Sequence, residues 1–184
     1  TAVINGQNTL RIMQGARLVA TGGALVTLEN MNLDNNGELN TDFYNTIYSP
    51  PSSIFRLSGN TTTDISQSIT GTNTATFFDR LRIAKGGGYL QLKHWVLQVY
   101  SEVRFISGLF DLNSNALYLM SSQNSNHAGA FLSGESELSR ITGGLVVALS
   151  RNLPANSTTD PANLGLVIST VDCKNINIYR GHIP

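Results

Sequence analysis

From Phe77 to Met120 the chain places short apolar-polar-apolar triplets at nearly even intervals: Leu81-Arg82-Ile83, Leu90-Gln91-Leu92, Leu97-Gln98-Val99, Val103-Arg104-Phe105, Phe110-Asp111-Leu112 and Leu117-Tyr118-Leu119. Their central residues are 9, 7, 6, 7 and 7 positions apart. Side chains alternate faces along a strand, so the two flanking residues of each triplet share one face and the centre takes the other. If three triplets complete one coil, each centre lies beside the centre three triplets on. Arg82 then meets Arg104 at 22 residues, Gln91 meets Asp111 at 20 and Gln98 meets Tyr118 at 20. This pattern predicts an all-β chain folded as a three-sided parallel β-helix, or β-solenoid, with the flanking residues inside and the centres in solvent. Each coil adds about 4.8 Å along the axis, the spacing of paired strands.

Residues 1 to about 40 repeat the theme more loosely, in Leu10-Arg11-Ile12, Leu18-Val19-Ala20, Val26-Thr27-Leu28, Met31-Asn32-Leu33 and Gly37-Glu38-Leu39. Gln14-Gly15, Gly22-Gly23 and Asn35-Asn36-Gly37 separate these runs and tolerate the positive φ of tight turns. No stretch sustains the i, i+3, i+4, i+7 spacing of an amphipathic helix. Residues 41 to 76 break the rhythm. Pro50-Pro51 cannot continue a ladder, Ser53 to Gly59 resumes as a strand, and Thr61 to Thr76 reads as edge strand or loop with Ile65 and Ile69 as its apolar anchors.

After Ser121 come a polar loop, a charged cluster and the longer strand-like runs Gly144 to Ser150, Leu164 to Thr170 and Ile176 to Arg180. The expected division is solenoid coils over 1–122, with the excursion at about 41–76. A C-terminal antiparallel β cap or small sandwich-like subdomain follows over 123–184. A solenoid needs such an end, because an exposed last coil is an open sheet edge.

Charge narrows the partners. Only 13% of the 184 residues are Asp, Glu, Lys or Arg, against about a quarter in ordinary globular chains. Twelve basic and twelve acidic residues balance to zero, so the global field that would draw the chain onto nucleic acid or an acidic membrane is missing. No apolar run is long enough to span a membrane as a helix. The single cysteine, Cys173, excludes an internal disulfide. The chain opens on Thr1, which is expected of an exported, extracellular or cell-surface protein after signal removal.

Four segments taken together, FFDRLRIAKGGGYLQL, GLFDLNSNALYLMSS, GESELSRITGG and PANLGLVISTVDCKNINIYRGH, resemble a recurrent module of large secreted surface proteins of Bacteroidota. Those proteins are typically exported by the type IX pathway and often described as adhesin-like. The resemblance spans roughly residues 75 to 182. It implies an extracellular, mainly structural β-solenoid segment that is not an enzyme and carries no cofactor.

Candidate chemistry is sparse. Glu135, Glu137 and Arg140 gather within six residues. The two carboxylates are weak candidates for a calcium site, and the competing reading pairs one of them with Arg140 through a charge-assisted hydrogen bond. His94, His127 and His182 lie at no zinc-ligand spacing, and no nucleophile elbow, phosphate loop or metalloprotease motif occurs. Gly86-Gly87-Gly88 reads as a flexible corner between rungs. The leading expectation is a structural building block of a cell-surface fibre, filament or adhesin that self-associates through its ends. The expected contacts are Val3, Ile4, Leu10 and Ile12 at one end and Leu166, Ile168, Ile176 and Ile178 at the other. A carbohydrate-binding module or β-helix carbohydrate-active enzyme is the second reading, with surface glycans as partner and Tyr44, Tyr48, Trp95 and Tyr118 as the expected contacts.

Overall fold

The computed structural model describes the chain except residues 1, 6–8, 21–22, 42–52, 67–74, 95, 122–128, 173 and 183–184. It is an all-β solenoid of stacked parallel coils with a small antiparallel sheet at its C-terminal end. β1 (Ala2–Asn5), β2 (Thr9–Ile12) and β3 (Arg17–Ala20) make the first coil. β4 (Leu25–Glu29), β5 (Asn32–Asn35) and β6 (Glu38–Thr41) lie on it in parallel register. β7 (Ile54–Gly59) and β8 (Thr63–Ser66) follow. The long β9 (Ala75–Lys93) and β10 (Val96–Asp111) each bend across two corners and serve all three faces. β11 (Ala116–Leu119), β12 (Phe131–Ser133), β13 (Ile141–Thr142) and the first half of β14 (Leu145–Leu153) continue the stacks in parallel. The cap consists of β15 (Ser157–Thr159), a 3-10 turn at Pro161–Asn163, β16 (Ile168–Thr170) and β17 (Lys174–Gly181).

The triplets of the central stretch pair as their spacing predicts. Arg82 is opposite Arg104, Gln91 opposite Asp111 and Gln98 opposite Tyr118. The flanking residues point inward and stack on their own kind. Phe55, Leu81, Val103 and Leu132 form one column, at 0%, 0%, 0% and 1% exposure. Leu90, Phe110 and Ile141 form another, with no exposed surface at any of the three. Each such side chain contributes roughly 1.5–3 kcal/mol by leaving water. Phe55 and Phe78 meet in the core with ring centroids 5.1 Å apart and a 41° tilt, within the range of favourable aromatic pairs.

Three expectations need correction. Within 41–76, Thr63–Ser66 is an interior strand, hydrogen-bonded to β5 on one side and β9 on the other. Its Ile65 is 1% exposed, and this one apolar residue sufficed to hold a rung that composition alone marked as edge or loop. The solenoid also runs past residue 122, because β12, β13 and the start of β14 pair in parallel with the preceding coil. Antiparallel pairing begins only where β17 lies on β14. Finally, Gly86-Gly87-Gly88 turns a corner by close packing rather than by flexibility. A Cβ on Gly86 would stand 2.6 Å from Asn60 Oδ1, and one on Gly88, at φ +65°, 2.5 Å from the Thr62 nitrogen. At Gly88 the backbone of the preceding coil passes too near for a side chain.

Truncating a ring in the core tests this packing. Phe55→Ala is expected to lower the unfolding free energy by about 3–5 kcal/mol, read from the midpoint of a urea melt. A loss under about 1 kcal/mol would contradict the filled core.

Candidate functional site

The outward residues of the faces differ in how their charges are handled. On the face built by β2, β5, β8, β9 and β10, opposite or complementary groups sit together. Arg11 Nε donates to Asp34 Oδ2 at 2.7 Å, Lys93 Nζ lies 2.8 Å from Asp64 and Gln91 Nε2 donates to Asp111 Oδ2 at 3.1 Å. Such cross-strand pairs are the ordinary way a ladder accommodates polar side chains.

The face built by β1, β4, β7, β9, β10 and β12 is different. Its central outward column runs Thr27, Arg56, Arg82, Arg104, Ser133. Three arginines on successive coils are thus about 4.8 Å apart at the backbone. Arg80, with Glu102 opposite it, flanks the column on one side, and Glu29, Ser58 and Ala84 flank it on the other. Among the described residues none of Arg56, Arg80, Arg82 and Arg104 forms an ion pair. The Nε atoms of Arg56, Arg80 and Arg82 are buried without a hydrogen-bond partner. Like charges stacked directly opposite one another are unfavourable, at about 1 kcal/mol per neighbouring pair in water. A cleft of about 530 Å³ opens beside Arg56 and is lined by Thr27, Glu29, Ser58, Asn60 and Ile106.

The C-terminal end gathers a second polar cluster. Arg180 Nη2 donates to both carboxylate oxygens of Glu135, at 2.7 and 2.8 Å, across 45 residues of sequence. Glu135 Oε1 also accepts from the Ile141 amide at 3.2 Å. The expected partnership with Arg140 is therefore corrected. Arg140 instead donates to the Glu137 carbonyl, and Arg180 reaches Glu135 because β17 folds back antiparallel on β14. Arg180 Nε donates to His182 Nε2 at 2.8 Å, which requires a neutral imidazole with its proton on Nδ1. Burial first, and then Arg180, hold His182 below its ordinary value of 6.5, with Glu135 pulling upward and Arg140 downward.

Two cations sit deeper. Arg151 is 3% exposed. Its Nη2 donates to the carbonyls of Ala130 and, at 3.1 Å, Leu119, and burial pushes it down to about 10. Lys85 is 1% exposed and donates to the Ser58 carbonyl at 3.0 Å, and burial lowers its value too. Both serve carbonyls at coil corners.

The expected glycan contacts do not assemble into a site. Tyr44, Tyr48 and Trp95 lie outside the described residues, and Tyr118 is half-buried beside Gln98 on a different face from the arginine column. Of the expected subunit contacts, Val3 and Ile4 lie in β1, and Leu10 and Ile12 point into the core from β2. At the other end Ile168 and Ile176 pack against the chain's own core and Ile178 is 5% exposed, leaving Leu166 facing solvent. Arg56 and Arg180 were not singled out in the sequence. A step of 20 to 22 residues back from Arg82 falls at 60–62 and misses Arg56, because the coil between them is longer. Comparison with protein families, with curated proteins and with solved structures yields no match.

The Arg180–His182 contact makes a pH prediction. A depressed folded value means that the unfolded state takes up the proton first, so this stabilisation is complete above pH 6.5 and is lost as pH falls through the lower folded value. The melting temperature of the parent should therefore drop more steeply as pH falls below 6.5 than that of His182→Gln. Parallel curves would rule the contact out as a contributor.

Proposed function

We propose that this chain is a structural, non-enzymatic β-solenoid of the cell exterior, of the adhesin type, that pairs with a second copy through its N-terminal coil. The observation that carries this reading is the inequality of the two ends. Leu10 and Leu18 of the first coil are only partly buried, whereas Leu33 and Leu39, stacked directly on them, have 0% exposure. Among the described residues, β1, β2 and β3 pair on one side only. Among the described residues the core is thus open at this rim, and so are three ladder edges.

At the opposite end the inward residues Leu132, Ile141, Val146 and Ala148 are at most 1% exposed. β17 covers the edge of β14, and Asn163 Nδ2 donates to the Leu132 carbonyl at 2.9 Å, so the cap occupies a group that another coil would need. Continuing the stack at the N-terminal rim satisfies backbone groups and buries the half-exposed leucines, which is the favourable way to resolve an exposed edge. Continuing it at the C-terminal end requires displacing the cap. Two copies meeting rim to rim form a closed, isologous pair.

Light scattering and electron microscopy over rising protein concentration test the reading. The expected result is association that stops at a dimer with both caps outward, and its loss in Leu10→Lys. A strictly monomeric species at high concentration would overturn self-association, and unlimited filaments of the intact chain would overturn the one-ended version.

A further inference from the structure

We infer that the arginine column Arg56–Arg82–Arg104 is a binding site for an acidic polysaccharide, a linear chain bearing carboxylate or sulfate groups that lies along the solenoid axis.

Holding the column costs the fold stability, because like charges stand opposite one another. Arg11, Lys93, Arg180 and the Gln91–Asp111 pair all show that this fold places a complementary group beside a charged or polar ladder residue. The arginine column departs from that practice. Three guanidinium groups stand on successive strands, and Arg80 adds a fourth one column away. Two carboxylates, Glu29 and Glu102, share the face, and Glu102 Oε1 is already accepting from Ser133 Oγ at 2.6 Å. The face therefore carries an excess of positive charge on a chain whose formal net charge is zero. An oxyanion between adjacent guanidinium groups relieves the repulsion and takes up their donors, and the planar fork suits carboxylate and sulfate alike.

The form of the ligand follows from the form of the site. The arginines are held at strand spacing on a rigid parallel sheet, so one small anion can meet two of them at most. A polymer with repeated anionic groups can meet all three. The cleft beside Arg56 is lined by hydroxyl, amide and aliphatic groups, from Thr27, Ser58, Asn60 and Ile106, and includes Glu29. Those groups match sugar hydroxyls and the apolar faces of pyranose rings. The lining contains no aromatic ring, whereas single-stranded nucleic acids are usually held by stacking their bases on aromatic side chains.

The test uses the full chain and calorimetric titration at low ionic strength with four probes: polygalacturonate, dextran sulfate, neutral dextran and oligo-dT. Binding is expected to one or both acidic polysaccharides and to weaken as salt is added. The tighter of the two identifies the oxyanion. No binding to neutral dextran is expected, and oligo-dT should bind more weakly than the acidic polysaccharides. Each of Arg56→Gln, Arg82→Gln and Arg104→Gln should weaken binding about tenfold, the equivalent of one charge-assisted contact. The triple variant should abolish it while melting no lower than the parent, since the stacked charges repel one another. Arg140→Gln, on the exposed turn near the cap, should bind as the parent does. The proposal is overturned if neither acidic polysaccharide binds, if the folded triple variant binds like the parent, if Arg140→Gln weakens binding as much as the column variants, or if oligo-dT binds best.

Discussion

The constraint on which everything else rests is the register of the inward columns. Each coil is closed by three short rungs, and each rung contributes two or three side chains to a core only one coil thick at any height. A shift of one residue in any rung would send its apolar pair to solvent and its polar centre inside. The columns Phe55–Leu81–Val103–Leu132 and Leu90–Phe110–Ile141 therefore do more than bury area. They hold every outward residue at a known height and on a known face. The arginine column exists as a geometric object only because the residues on either side of each arginine cannot slip.

Where the chain turns between faces the ladder is interrupted and backbone groups need other partners. The corners are served by side chains reaching from the adjacent coil. Asn30 Oδ1 accepts from the amides of Asn60 and Thr61 at 2.9 and 3.2 Å. Asn115 Nδ2 donates to the Leu92 carbonyl at 2.9 Å, Ser53 Oγ to Ala20 at 3.0 Å and Ser139 Oγ to Gly108 at 3.2 Å. Lys85 and Arg151 do the same from deeper positions. Short neutral side chains suit this task because they satisfy a buried carbonyl or amide without bringing a charge with them. This accounts for a chain rich in Asn, Ser and Thr and poor in charge. The composition is a consequence of having many corners.

The two ends and the one unpaired face divide the molecule's outward behaviour. The cap is a closed structure, in which β17 lies on β14, Arg180 ties Glu135 to the strand beside His182, and Asp160 accepts from the amides of Leu164 and Gly165 at 2.9 Å each. The first coil has no such closure among the described residues, and its leucines face the open end of the core. Assembly at the rim and recognition along the arginine face use different residues and different forces. The rim offers apolar burial and edge pairing, and the arginine face offers charge held at fixed spacing.

Periodicity along the chain was enough to predict the three-sided parallel coil and the pairing of Arg82 with Arg104, Gln91 with Asp111 and Gln98 with Tyr118. Alternation within a rung and the count of residues per coil are both local, and 20- to 22-residue spacings recur where corners are short. The same count failed where corners carry insertions. Arg56 lies 26 residues before Arg82, Ile65 lies 32 after Leu33, and Ser133 lies 29 after Arg104. Only the tertiary structure decided which residues stack across those longer coils, and so revealed the full arginine column, the interior place of β8 and the extension of the solenoid beyond residue 122. It also decided the partner of Glu135. Within the charged cluster Arg140 is the nearest cation in sequence, but the fold-back of β17 brings Arg180 to the carboxylate from 45 residues away. That is a distance in sequence that no local pattern encodes, since the energy selecting it comes from pairing β17 along the last open edge.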